Sequence, residues 1–130
     1  MEKELLNTFD KELLLKDLCA RLPYRTKVRR YRYTTPIDSI QSVELLGLGW
    51  LEELYGEEAE FKPYLFPLSS MTEEQKEEYV SLQQRVIYNS QGPVNLDVIK
   101  YVDWLNKNHF DYRGLIEKGL AIDATGLNIY

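Results

Sequence analysis

The run Tyr24-Arg25-Thr26-Lys27-Val28-Arg29-Arg30-Tyr31-Arg32-Tyr33 decides the fold. Its residues are β-branched, aromatic or long, and no helix cap precedes them, so it reads as a strand. Pro23 separates it from the segment before, because proline biases the preceding residue away from helical geometry. Thr34-Thr35-Pro36 turns the chain, and Ile37 to Leu46 follows as one strand or two short ones, with Ile40, Val43 and Leu45 expected inside. Gly47 and Gly49 end that stretch. Trp50, Leu51, Leu54 and Tyr55 then read as a further extended segment, Gly56 as a turn, and Glu58 to Phe66 as a last strand running into Pro63 and Pro67. Short strands with turn signals at roughly 8–12-residue spacing predict a small curled sheet or barrel.

Helices flank this region. Over residues 5–22, Leu6, Phe9, Leu13, Leu14, Cys19 and Leu22 recur mainly at three- and four-residue spacing, with Lys11, Glu12, Lys16, Asp17 and Arg21 between them. Cys19 is expected there as a small buried apolar residue. Over residues 72–88, Thr72 and Gln75 form a capping box, Glu73 and Glu74 suit the positive helix end, and Tyr79, Leu82 and Val86 form the inward stripe. After a loop from Asn89 to Pro93, Asn95 caps a helix reaching about Asn108, with Val94 and Ile99 as a staple and Val98, Val102 and Leu105 inward. Asp111 caps a short final helix that Gly119 closes, with Leu115 and Leu120 spaced for a Schellman contact. The tail from Asp123 to Tyr130 reads as irregular. The expected fold is one α+β domain over residues 1–130: a helix over 5–22, a small twisted antiparallel sheet or SH3-like barrel over 24–68, and a helical region over 72–120.

Composition narrows the function. The chain has 130 residues, 44% hydrophobic and 28% charged, with a formal net charge of -5. That is a globular mixture long enough to bury a core without disulfide or metal staples. One cysteine and one histidine, His109, cannot build the usual four-ligand zinc site, and no phosphate-cradling glycine loop or nucleophile elbow is present. No cofactor or metal is expected. The charged N-terminus and the lack of an apolar run near ~20 residues suggest no membrane association and a cytoplasmic setting.

Charge is segregated. Six basic residues lie between Arg21 and Arg32 with no acid among them, while the seven charged residues from Asp38 to Glu60 are all acidic. Arg25, Lys27, Arg29, Arg30 and Arg32, interleaved with Tyr31 and Tyr33, are the candidate binding residues, since cations and aromatics on a strand can grip phosphates and stack on bases. The competing expectation is that the basic strand lies beside the acidic ones and pairs with them. The negative overall charge favours that pairing over nucleic acid. His109 stands near Asp111 and Tyr112, and an Asp-oriented histidine is one part of a hydrolytic triad. No local motif marks a nucleophile, so a helix-end histidine bonded to backbone is the expectation.

Three stretches carry a resemblance: Lys16 to Tyr24 (KDLCARLPY), Lys62 to Gln75 (KPYLFPLSSMTEEQ) and Asp103 to Ala121 (DWLNKNHFDYRGLIEKGLA). They resemble a family of small uncharacterised proteins from gut anaerobes, often in phage or mobile-element neighbourhoods. The resemblance implies no activity, cofactor or catalytic residue. Members of that family have Gly after the Pro-Tyr pair where this chain has Arg25, and residues 25–60 diverge. The expectation is a non-enzymatic protein-interaction module of a bacterium or its phage, with a protein partner. The alternatives are a nucleic-acid-binding accessory protein using residues 25–32 and, remotely, a hydrolase around His109.

Overall fold

The computed structural model describes residues 7–33, 35–46, 49–56, 58–88 and 96–130. The fold is α+β, as expected. Helices α1 (Thr8–Ala20), α2 (Trp50–Tyr55), α3 (Glu73–Tyr88) and α4 (Leu96–Lys107) surround strands β1 (Lys27–Arg32), β2 (Ile37–Ser42), β3 (Ala59–Pro67), β4 (Phe110–Asp111) and β5 (Ile122–Asp123). Pairing follows the order β2-β1-β3-β4, with β5 also on β3. The sheet is mixed and open rather than an antiparallel barrel: β1 pairs antiparallel with β2 and β3, whereas β4 and β5 run parallel to β3.

Helix α1 starts where Asn7 accepts a bond from the Asp10 N–H at 2.8 Å. Its buried face is not the expected one. Leu14 and Leu18 are buried, but so are Lys11, Asp17 and Arg21, while Phe9, Leu22 and Cys19 are exposed. Positions 11, 14, 18 and 21 form the core stripe, and Cys19, one residue past Leu18, is turned about 100° away from it. Leu6 lies outside the described residues. Beyond a 3-10 turn at Leu22–Tyr24, Arg25 takes a left-handed conformation with φ 53°. Glycine takes that geometry more readily than arginine does.

Two further expectations give way. Trp50–Tyr55 is helical, because Leu54 and Trp50, four residues apart, both reach the core and Trp50 meets Phe61 edge-on at 5.9 Å. Ile40 and Leu45 point outward: among the described residues β2 pairs with β1 alone, and a 3-10 turn over Val43–Leu45 carries the chain off the sheet. Val43 is buried as expected. The Gly47 break lies outside the described residues.

The core runs beneath β1 and β3, joining Val28, Ala59 and Phe61 to Leu14, Leu18, Val43, Leu46 and Leu54. A second cluster gathers Leu65, Leu115, Leu120 and Ala121. The capping box holds, with Thr72 N–H donating to Gln75 Oε1 at 2.9 Å and Gln75 N–H to Thr72 Oγ1 at 3.2 Å. Tyr79, Leu82 and Val86 are only half-buried, and no α3 residue is buried. On α4, Leu105 is buried, Val102 half-buried and Val98 exposed. The expected Asn89–Pro93 loop and the Val94 and Asn95 cap lie outside the described residues. Asp111 caps a turn over residues 115–119 rather than a helix, accepting from Leu115 and Ile116 N–H at 3.0 and 2.9 Å. Gly119, at φ 74°, closes it as expected: Leu120 N–H reaches Leu115 C=O and Gly119 N–H reaches Ile116 C=O.

Candidate functional site

The basic strand sends its charges to two faces. Strand residues alternate, so Lys27, Arg29, Tyr31 and Tyr33 share one side of the sheet, and Arg30 and Arg32 share the other with Val28. Arg29 grips Asp38 with two bonds, Nε to Oδ1 and Nη2 to Oδ2, both 2.9 Å. This holds the Asp38 carboxyl below its usual range and pushes the Arg29 guanidinium up. On the opposite face Arg30 donates through Nε and Nη2 to both oxygens of Glu53, and Arg32 Nη2 reaches Glu53 Oε1 at 3.0 Å. Lys27 Nζ donates to Ser42 Oγ at 3.1 Å. Tyr33 OH donates to Glu60 at 2.8 Å, and its ring meets Tyr31 edge-on. Arg25 is exposed in its turn. Charge pairing within the chain is therefore real; among the described residues the carboxylates ion-paired with the β1 arginines are Asp38 of the neighbouring strand β2 and Glu53 of α2.

On the Arg30 face, a cavity of about 230 Å³ is lined by Arg30, Arg32, Ile37, Ser39 and Gln41. A second, of about 260 Å³, lies on the far side of Arg32, bounded by Thr35, Glu53 and Glu58. Neither was foreseeable from the basic run alone, because Ser39, Gln41 and Glu53 reach it through strand register and the unexpected α2.

His109 and Asp111 do not form a pair. Both Asp111 oxygens cap the 115–119 turn. His109 has φ 61°, its Nδ1 lies 3.0 Å from Thr26 Oγ1, and its ring stacks on Tyr130 at 3.9 Å between centroids. Burial, helped by the nearby Arg21 charge, lowers its pKa to about 4. The folded state thus holds His109 neutral, while the unfolded chain takes up a proton near pH 6.5. Stability is full above that pH and falls as pH drops from about 6.5 toward 4, by about 2–3 kcal/mol. His109→Asn, which tolerates the left-handed backbone, is expected to flatten this loss; urea midpoints at pH 7 and 4.5 measure it.

The largest polar group inside the protein escaped sequence reading. Arg21 and Asp17 are fully buried; Nε and Nη2 of Arg21 bond Asp17 at 3.0 and 3.1 Å, and Nη2 also reaches Phe110 C=O at 2.7 Å. Arg113 adds a second contact to Asp17 at 3.1 Å. An Asp-Arg pair four residues apart, just before Leu-Pro, is the only signal the sequence offers.

Among the described residues no group of three or more His, Cys, Asp or Glu side chains is placed to hold a metal ion, and no helix is long and apolar enough to cross a membrane. Comparison of the chain with protein-family models, curated proteins and solved structures gives no match.

Proposed function

We propose that this protein is a non-enzymatic interaction module that binds a protein partner along the outer edge of β2, in the cytoplasm of a bacterium or a phage-infected cell. One observation carries the reading. Among the described residues β2 pairs only with β1, and its Ile37 and Ile40 side chains are 52% and 56% exposed. Tyr33 N–H donates to Glu58 C=O, so odd-numbered residues of β1 face β3 and even-numbered ones face β2. With Arg30 opposite Ser39, the inward residues of β2 are odd-numbered, and Asp38 and Ile40 turn their N–H and C=O outward. An edge of this kind accepts an added strand, with main-chain bonds giving affinity.

The test is affinity capture from the native host with Ile40→Lys, a change at an exposed site, beside Tyr88→Ser as a distant apolar control. The expected result is a partner retained by wild type and Tyr88→Ser and lost by Ile40→Lys. Capture that survives Ile40→Lys unchanged would remove β2 as the contact.

A further inference from the structure

We infer that the cavity lined by Arg30, Arg32, Ile37, Ser39 and Gln41 is an oxyanion subsite, and that it takes the carboxylate of a Glu or Asp on the segment docked along β2. The identity of the occupant rests on the docking reading above; the affinity of the cavity for an anion does not.

The charge balance leads to this assignment. Two guanidinium groups share one carboxylate, Glu53. Arg30 and Glu53 are largely covered, with side chains 12% and 16% exposed, so their fields are poorly screened by water. Arg30 uses Nε and Nη2, and Arg32 uses Nη2. Arg30 Nη1 and Arg32 Nε and Nη1 have no hydrogen-bond partner among the described residues. A planar fork with open N–H groups matches a carboxylate or phosphate. Ser39 Oγ and the Gln41 amide, bonded to each other at 3.2 Å, add polar groups to the wall, and Ile37 adds an apolar side. Glu58 lies in the adjoining cavity beyond Arg32, so the anion is accepted from the Ser39 side.

Register brings the two parts together. Ser39 stands directly opposite Arg30 on β1 and shares its face of the sheet. A strand added outside β2 therefore places the residue opposite Ser39 on that same face, one strand from Arg30. An acidic side chain there gives the two guanidinium groups, which share Glu53, a further carboxylate on the Ser39 side, away from Glu58. Arg29 on the other face differs in that Asp38 answers it one to one, whereas Glu53 is shared by two guanidinium groups.

Two probes separate the pocket from its occupant: inorganic phosphate, and a pair of blocked peptides, Thr-Val-Glu-Val-Thr and Thr-Val-Gln-Val-Thr. Amide chemical shifts of the intact protein are followed in each titration. Phosphate is expected to move Arg30, Arg32 and Ser39, and Arg32→Gln to weaken it at least fivefold. Ser39→Asp is expected to abolish it without removing a cation, by placing a carboxylate opposite Arg30. The Glu peptide is expected to bind at least fivefold more tightly than the Gln peptide, a preference lost in both variants. No phosphate response, or one unchanged in both variants, overturns the subsite. A normal phosphate response with no preference between the peptides overturns the acidic-segment assignment and leaves a site for free anions. A phosphate response lost in both variants, with neither peptide binding, counts against docking at β2 and not against the pocket.

Discussion

Replacing Asp17 by Asn is expected to destabilise the protein by about 3–5 kcal/mol, because it leaves the charge of a fully buried arginine without its counter-ion. Asn keeps the size and one acceptor but cannot answer both Arg21 and Arg113, which reach Asp17 at 3.0–3.1 Å. The pair is not an ideal one. Among the described residues Arg21 Nη1 is buried with no partner, and the guanidinium lies 5.4 Å from the centre of the Tyr112 ring. Joint replacement by Asp17→Leu and Arg21→Met is therefore expected to cost less than Asp17→Asn alone, since both desolvated charges disappear together. Urea unfolding at neutral pH measures both, with exposed Glu12→Ala near zero as the reference. A loss under 1 kcal/mol for Asp17→Asn would mean that water reaches Arg21.

Tyr130→Ala is expected to destabilise by about 3 kcal/mol, although the residue is 44% exposed. Its hydroxyl accepts from Lys27 N–H at 2.8 Å and donates to Tyr64 C=O at 2.6 Å. In the register that pairs Val28 with Pro63, Lys27 and Tyr64 are the next rung, so the phenol bridges the point where β1 and β3 diverge. Its ring also stacks on His109 and tilts against Phe66 at 5.7 Å. Burial raises the phenol pKa, so the bridge stays protonated across the neutral range. Tyr130→Phe keeps the ring and removes only the bridge, and is expected to cost about 1 kcal/mol. Because Tyr130→Ala opens His109 to water, it is also expected to shrink the stability loss between pH 6.5 and 4. Thermal unfolding of the three proteins at pH 7 and 4.5 reads both effects; equal losses for Phe and Ala would assign the stabilisation to the hydroxyl alone.

Much of the architecture was legible where local chemistry is self-sufficient. The Thr72–Gln75 box and the Leu115–Gly119–Leu120 closure are short-range devices, and both formed as read. Strands β1 and β3 announced themselves by composition. Reading failed where partners distant in sequence decide. Nothing near Lys11, Asp17 or Arg21 says that α1 turns these residues inward, because Arg113 and the Phe110 carbonyl that meet the pair lie about ninety residues away. Trp50–Tyr55 carries aromatic and apolar residues that suit a strand, and Phe61 draws it into a helix. The candidate site was half visible: the pairing of basic with acidic segments was expected, but its division between two faces follows from strand parity. The arginine pocket needed Glu53 on a helix that composition had assigned to a strand.

The central claim is that the basic strand presents no continuous cationic face, because Arg29 is gripped by Asp38 on one side of the sheet while Arg30 and Arg32 share Glu53 on the other, with open donors at one pocket; the edge of β2 is the contact proposed in its place. Fluorescence anisotropy of a labelled single-stranded oligonucleotide at about 50 mM salt tests it most directly, since a continuous basic face would bind there at micromolar to 100 µM levels. The expected result is no saturable binding up to roughly 100 µM protein. Saturable binding that falls steeply with added salt and is weakened by Arg29→Gln and by Arg30→Gln alike, so that both faces of the strand contribute, would contradict it.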